Sequence, residues 1–333
     1  MQLFLYEHLT GGGMPWAGDA AWQSLAAEGQ TMIAALAADF ARLGGVAVTI
    51  LRDRRLKSWC LPGCRVVEVN SAEEHRREFD RFAAAADWTV VIAPEIDGIL
   101  LDRCRRVSEV GGRLLGPPLD LIALASDKQR TAERLQAAGV SVPRGRPFAS
   151  GDAWPRDFTY PAVWKPRDGA GSVDIVVVDD WHSPARPPAG RAGRLEEFRP
   201  GLPASVALVC GPAGCTALPA CRQQISDDGR LRYLGGSVPL PPPYAKRAAR
   251  LAERAVATLD KPLGYLGVDL VLGHDADGSD DVVIEINPRL TTSYLGLRAL
   301  CRQNLAGAML EAALGRPLAL SFASEEICFG IGK

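Results

Sequence analysis

Along the first third of the chain, short unbroken apolar runs alternate with longer stretches in which apolar residues recur every three or four positions. Residues 2–6 form such a run, and Gly11-Gly12-Gly13 follow it as a turn. From 22 to 43, Leu25, Ile33, Leu36 and Phe40 fall on related faces of a helix, which Gly44-Gly45 end. Residues 46–51 predict the next strand. Residues 89–93, compact and wholly apolar apart from Thr89, predict a third strand buried on both faces. A helix over 99–110 and a short strand over 113–115 complete the pattern. Strands alternating with helices predict a parallel α/β sheet for residues 1–118.

After Ser126 the pattern changes. Residues 127–138 predict a helix closed by Gly139, and Val140-Ser141-Val142-Pro143 leave it as extended chain. Strands over 162–165 and 174–178 flank the turn Asp168-Gly169-Ala170-Gly171-Ser172. Residues 179–193, rich in Pro, Ala and Gly, predict an exposed connector. The remainder mixes strands (206–210, 231–234, 268–272, 282–286) with helices near 244–259 and 305–314. No internal repeat is evident, so an α/β unit is expected to precede an α+β region.

Composition narrows the function classes. Of 333 residues, 47% are hydrophobic and 23% charged, as in ordinary soluble globular proteins. A formal net charge of -1 gives no global field to recruit nucleic acid or anionic lipid, and Arg103, Arg105 and Arg106 read as a solvated helix face. No apolar stretch is long enough to span a bilayer, and the start carries no positive leader, so neither a membrane nor a signal peptide is expected. The eight cysteines are scattered. Cys60 and Cys64 form CxxxC, but no paired CxxC sets occur and there are only four histidines. Reduced thiols in a cytoplasmic protein are therefore expected, rather than a zinc site.

Three segments could carry chemistry. In Asp281-Val282-Val283-Ile284-Glu285-Ile286-Asn287-Pro288-Arg289, a strand would set Val282, Ile284 and Ile286 on one face and Glu285 with Asn287 on the other. Asp269 opposes its apolar neighbours in the same way, and if the two strands pair, three oxygen ligands meet, as a hard cation such as Mg²⁺ requires. Taken alone, the segment also fits a hairpin with a solvated polar face. In Lys165-Pro166-Arg167-Asp168-Gly169-Ala170-Gly171-Ser172, a lysine at a strand end precedes a glycine-rich turn that can surround phosphate oxygens, although no Walker A spacing is present. Taken alone, this turn is better explained as a structural hairpin. Lys128 opens a helix 37 residues before Lys165, where Ser126 or Asp127 could serve simply as an N-cap.

Order adds what the single pieces lack. Lys128, Lys165 before a glycine turn, Glu196-Glu197-Phe198, Asp269 on a strand, and Glu285-x-Asn287-Pro288-Arg289 follow one another as in the ATP-grasp superfamily, which residues 120 to 300 resemble. The resemblance implies an α/β N-terminal domain (1–118) followed by a two-lobed α+β ATP-grasp fold, with its N-lobe at 119–195 and its C-lobe at 196–333. It implies ATP with Mg²⁺ or Mn²⁺, and ligation of a carboxylate to an amine through an acyl phosphate, releasing ADP and phosphate. Lys128 and Lys165 would then hold the α- and β-phosphates, and Asp168, Gly169, Gly171 and Ser172 would belong to the loop over the β- and γ-phosphates. Glu196, Glu197 and Phe198 would receive adenine on their backbone. Asp269, Glu285 and Asn287 would ligate metal, and Arg289 would stabilise the transferring phosphoryl group. One departure stands out: Gly201-Leu202-Pro203-Ala204-Ser205-Val206 lacks the ribose-binding acid that many relatives carry there, leaving Glu197 or no side chain for that contact.

A narrower resemblance spans nearly the whole chain. It rests on Tyr6-Glu7-His8-Leu9-Thr10-Gly11-Gly12-Gly13, Ala93-Pro94-Glu95-Ile96-Asp97-Gly98, Arg222-Gln223-Gln224, Gly235-Gly236-Ser237-Val238-Pro239 and Arg289-Leu290-Thr291-Thr292-Ser293-Tyr294. These are similar to the group of ATP-grasp enzymes containing the tyramine–L-glutamate ligase of methanofuran biosynthesis, with relatives in bacterial C1 metabolism. The resemblance implies the γ-carboxylate of glutamate as donor and tyramine or tyrosine as acceptor. Gly11, Gly12, Gly13, Arg222, Gln224, Thr291, Thr292 and Ser293 are then candidate substrate contacts, each with a structural role as the alternative. The acceptor, the general base and the oligomeric state stay open, a homodimer among the options. Two rival readings fit the sequence less well. A nicotinamide-dependent dehydrogenase lacks the G-x-G-x-x-G spacing, and its ribose acid, Asp53, lies twice as far from the glycines as the usual interval of about 20 residues. A non-catalytic ATP-binding protein has no need of both lysines and the full metal set. Another amino acid or peptide as substrate is the nearer alternative.

Overall fold

Strands β1 (Gln2–Glu7), β2 (Ala47–Asp53), β3 (Cys64–Val69) and β4 (Trp88–Ile92) form a parallel sheet in the order β3-β2-β1-β4. The computed structural model describes residues 1–13, 20–56 and 61–330, so Cys60 lies outside the described residues. Successive side chains of β1 take opposite faces. Leu3 and Leu5 meet Ile33, Leu36 and Phe40 of helix α1 (Ala20–Ala41). Phe4 and Tyr6 meet Phe79 and Phe82 of α2 (Ala72–Ala85) and Leu100 and Val107 of α3 (Ile99–Glu109). The expected sheet is present, with two additions. Edge strand β3 carries exposed Arg65 and Glu68, and α2 is charged along most of its length, so neither announces itself by an apolar run. The short strand expected over 113–115 is a single bridge from Leu114 to Thr89.

Helices α4 (Leu119–Ala125) and α5 (Lys128–Ala137) lead into the second part of the chain. Strands β5 (Gly145–Ala149), β6 (Ala162–Pro166), β7 (Val176–Val178) and β8 (Ala192–Glu197) pair antiparallel in the order β5-β8-β6-β7. Their small core gathers Phe148, Trp154, Trp164 and Leu195. Gly193 is required there, since a Cβ would stand 2.2 Å from the Trp164 indole.

The third sheet has seven strands: β9 (Leu202–Gly211), β10 (Gly214–Ala217), β11 (Cys221–Ile225), β12 (Tyr233–Val238), β13 (Gly264–Leu272), β14 (Val282–Asn287) and β15 (Ile327–Phe329). They run in the order β14-β13-β9-β11-β12-β15, with β10 paired to β9. Helix α6 (Pro242–Val256) lays Ala248, Leu251, Ala252 and Ala255 on Val206, Leu208, Leu266 and Val268. On the opposite face, α7 (Tyr294–Leu300) and α8 (Leu305–Ala313) join Val209 and Tyr265 to the same core that holds Leu3, Leu5 and α1. The first and third sheets therefore share one apolar interior. Asp39 of α1 stitches its edge, accepting 2.7 Å hydrogen bonds from Tyr294 Oη and Arg298 Nε.

Cys210 and Cys215 face each other across the β9–β10 turn, with Cα atoms 4.0 Å apart, and form a disulfide. This corrects the expectation of wholly reduced thiols. Cys64, Cys104, Cys221, Cys301 and Cys328 are free. No helix among the described residues is long and apolar enough to cross a membrane.

Candidate active site

A cavity of about 450 Å³ lies between the second and third sheets, closed on one side by α1. Asp127 caps α5, accepting from Gln129 N and Arg130 N, and so fixes Lys128 at the first helical position. Lys128 Nζ reaches Glu285 (2.9 Å) and the Gly169 carbonyl (2.8 Å). Burial alone would lower its pKa, but Glu285, Glu95 and Glu196 outweigh that and raise it, so it stays charged. Lys165 ends β6 and is buried, with Nζ 2.6 Å from Glu196 and 3.2 Å from the Ile284 carbonyl. Two ammonium groups thus enter one cavity from separate elements.

Opposite them, β13 and β14 pair with Asp269 across from Glu285 and Gly267 across from Asn287. A bulge at Ile284 changes the expected alternation. Val283 and Ile286 enter the core, while Ile284 faces the cavity and offers its carbonyl to Lys165. Expected to share a face with Val282 and Ile286, Ile284 is shifted by the one extra residue, and Glu285 and Asn287 keep their common side. Gln223 Nε2 (2.9 Å) and Asn287 Nδ2 (3.1 Å) donate to Asp269. Burial and the adjoining Glu285 carboxylate push Asp269 up to about 7. Burial pushes Glu285 the same way, but Lys128 and Lys165 bring it below the ordinary range. Two crowded acids beside an amide form an all-oxygen set, which suits a hard cation taking its other ligands from phosphate and water. No cluster of three or more His, Cys, Asp or Glu suited to a metal occurs among the described residues, so protein ligands alone would not complete the shell.

Gly169, Gly171 and Ser172 line the cavity, with Gly171 and Ser172 in the left-handed region at φ 63° and 58°. Asp168 does not line it. Its carboxylate accepts the Asp97 backbone N–H (2.8 Å) and lies 3.8 Å from Arg191, which also pairs with Asp97 at 3.0 Å. Glu196, Glu197 and Phe198 are present at the cavity wall, but the N–H groups of Glu197 and Phe198 already donate to the Arg144 and Pro161 carbonyls. The Glu196 side chain is held between Lys165 and Arg194. Arg199, one step further along, also reaches the cavity.

At the other end stand Arg289, Thr291, Thr292 and Ser293, all lining the cavity. Arg289 is bound through both carboxylate oxygens of Glu95, at 2.9 and 3.1 Å. Ser293 Oγ lies 2.9 Å from both Tyr265 Oη and Thr291 Oγ1. Three expectations need correction. Arg222 and Gln224 are exposed, because the phase of β11 turns Gln223 and Ile225 inward instead. Gly11, Gly12 and Gly13 do not reach the cavity: Gly11 and Gly13 donate back to the carbonyls of Glu7 and His8, and the turn packs on Tyr6, His8 and Val69. Asp168 is a latch residue on the far side of its turn. Sequence reasoning missed Glu28, Gln223 and Tyr233 at the cavity, and Glu95 behind Arg289. The signal for Glu28 was its place between Leu25 and Met32 on one face of α1.

Known proteins resemble this chain at both levels. Residues 46–122 match a pre ATP-grasp domain and residues 125–293 an ATP-grasp domain. The tyramine–L-glutamate ligase of Methanocaldococcus fervens is 24% identical over 309 residues, covering 92% of this chain and 93% of that one. An ATP-grasp superfamily protein from Archaeoglobus fulgidus superposes with a TM-score of 0.72 at 25% identity, over 94% of this chain and 89% of its own. An L-amino acid ligase from Bacillus licheniformis shares the fold, with a TM-score of 0.65 at 18% identity over 94% and 74% of the two chains. The ATP-grasp match alone spans more than half of these 333 residues, and the chain belongs to the ATP-grasp family.

Proposed function

We propose that this protein is an ATP-dependent carboxylate–amine ligase that joins the γ-carboxylate of L-glutamate to tyramine or tyrosine through an acyl phosphate. The observation that carries the ligase half is the convergence of Lys128, Lys165, Asp269, Glu285, Asn287 and Arg289 on one cavity from four separate elements. The substrate pair rests on the relationship to tyramine–L-glutamate ligases. In this reading residues 1–118 form the pre-ATP-grasp domain, 119–195 the N-lobe and 196–333 the C-lobe, in a cytoplasmic enzyme.

Phosphoryl transfer asks a protein for position and charge neutralisation more than for covalent chemistry. Lys128 and Lys165 would exchange their present carboxylate partners for phosphate oxygens. The Gly169–Ser172 turn covers those oxygens, which excludes water from a labile acyl phosphate. A Mg²⁺ or Mn²⁺ ion held by Asp269, Glu285 and Asn287 would neutralise the phosphates. Arg289, fixed by Glu95, would supply the cation that the phosphoryl group and the acyl phosphate need. Thr291, Thr292 and Ser293 offer hydroxyl and backbone donors to the carboxylate. Adenine would meet Arg199 and the carbonyls of the linker, because two of the linker's N–H groups are engaged.

Mass spectrometry of products from ATP, Mg²⁺, glutamate and either tyramine or tyrosine tests the substrates. The expected product is glutamate joined to the amine with loss of one water. ADP release that stays at background across a panel of carboxylates and amines would sink the ligase reading itself.

A further inference from the structure

Helix α1 presents Leu25, Glu28 and Met32 along one face, as spacings of three and four residues require. Glu28 and Met32 line the cavity, and Leu25 lies 2.6 Å from where a Cβ on Gly171 would stand. The rotation of the helix is fixed at the next residue, since a Cβ on Gly29 would meet the Glu7 carboxyl carbon at 2.5 Å. Glu28 therefore stays aimed at the cavity beneath the glycine turn.

The charge of Arg289 acts on Glu28, and the charge of Glu28 acts on Tyr233, which lines the same cavity as Thr292. Along the chain, Glu285, Asn287, Arg289 and Thr291 lead from the lysines toward Thr292. Every other enclosed acid near the cavity has a partner: Glu95 holds Arg289, Glu196 holds Lys165 and Arg194, Glu197 lies 4.0 Å from Arg144, Glu285 holds Lys128, and Asp269 accepts from Gln223 and Asn287. Glu28 has no hydrogen bond or ion pair among the described residues, and Asp227, also without one, is exposed.

We propose that Glu28 is the general base of amide formation, taking a proton from the acceptor ammonium so that its nitrogen can attack the acyl phosphate. This rests on the ligase reading above. The ammonium gives one proton to the Glu28 carboxylate, and the freed lone pair forms the C–N bond. The acyl C–O bond to phosphate breaks, the departing phosphate takes a second proton from nitrogen, and the third stays on the amide. Glu28 then returns its proton to solvent.

Burial holds the Glu28 carboxyl at about 7, with Arg289 drawing it back. A base matched to neutral pH balances ionisation against proton affinity. The charged and titratable groups around it are Arg289, Glu95 behind that arginine, Glu7 beneath Gly29, and Tyr233 across the cavity. Amide formation should consequently fall as pH drops below about 7, where Glu28 becomes protonated.

Hydroxylamine separates the two steps, because it is largely unprotonated at neutral pH and traps acyl phosphates without needing a base. The enzyme is assayed with ATP, Mg²⁺ and glutamate, and with either tyramine or hydroxylamine. In Glu28→Gln, the ratio of amide to hydroxamate should fall on the order of a hundredfold and its acidic limb should vanish. Glu28→Asp should recover part of the ratio and keep a limb. Wild-type ratio and limb in Glu28→Gln would overturn the proposal, and so would an equal loss of both products in both variants. A wild-type enzyme forming neither product from glutamate would overturn the substrate reading, and ADP release at background across the panel of carboxylates and amines would overturn the ligase reading and this proposal with it.

Discussion

Arg289 and Glu95 lie 194 residues apart in sequence and meet as a buried two-point ion pair at 2.9 and 3.1 Å. Glu95 follows β4 at the carboxyl end of the parallel sheet, where open α/β sheets present ligand-binding groups. Here that end supplies a counter-ion to the cation that follows β14, so the first sheet helps shape a site that α1 also walls. A third Arg289 donor goes to the Leu290 carbonyl at 3.2 Å. Replacing Glu95 by Gln should strand a buried charge and destabilise the fold by about 3 kcal/mol. It should also lower kcat, because the guanidinium loses its fixed plane. Urea unfolding and ADP release check the two effects, and unchanged kcat would mean that Arg289 needs no such hold.

Glu285 gives the opposite balance of stability and activity. It is crowded by Asp269, so Glu285→Gln relieves repulsion while costing Lys128 its partner. Thermal stability should stay close to wild type. Turnover should fall by more than about a hundredfold, as when a preorganised electrostatic group is removed. Chelation by EDTA should silence the wild-type enzyme, with Mg²⁺ or Mn²⁺ restoring it and neither ion restoring the variant. A Glu285→Gln enzyme with full activity would remove this residue from the metal set.

How far the site could be read from sequence follows from how local each signal is. Asp269, Glu285 and Asn287 were legible because strand alternation sets them against apolar neighbours. Lys128 and Lys165 were legible because each sits at an element end. Ile284 was misplaced because a one-residue bulge is a pairing event between β13 and β14 and leaves no mark on either strand alone. Arg222 and Gln224 were expected to meet substrate, but the phase of β11 depends on its pairing with β9 and β12, which turns Gln223 inward. Glu28 reaches the site through the core that α1 shares with α7 and α8, and Glu95 through its pairing with Arg289. Both contacts are tertiary: the spacing of Leu25, Glu28 and Met32 sets one face of α1 but not what that face meets. In the fold, the buried strands of the first sheet were plain, whereas charged α2 and edge strand β3 carried little apolar contrast.

Asp168, Asp97 and Arg191 join the glycine turn to the N-terminal domain. Their groups are partly exposed, so each contact contributes little to global stability. Asp168→Ala should leave the urea midpoint within about 0.5 kcal/mol of wild type. It should nonetheless loosen the turn. Limited trypsin digestion at Arg167 and Arg191 should proceed faster in the variant, and saturating nucleotide should slow it again. Identical cleavage rates would show that the turn is held by Gly171 and Leu25 instead.

Glu7 makes a stability prediction with a definite sign. It is buried and accepts from Leu9 N, Thr10 N and Thr10 Oγ1, yet burial raises its carboxyl from 4.5 to about 7 against those hydrogen bonds. Between these two values the folded chain keeps a proton that the unfolded chain has lost. Stability from this group must then fall as pH rises through that window and level off above it. Glu7→Gln carries no such proton, so the wild-type advantage over the variant should shrink as pH rises from 5 to 8. The full change is about 3 kcal/mol for a shift of this size. Urea unfolding of both proteins at several pH values measures it. A difference that grows with pH would mean the Thr10 and Leu9 donors outweigh burial and hold Glu7 as a carboxylate.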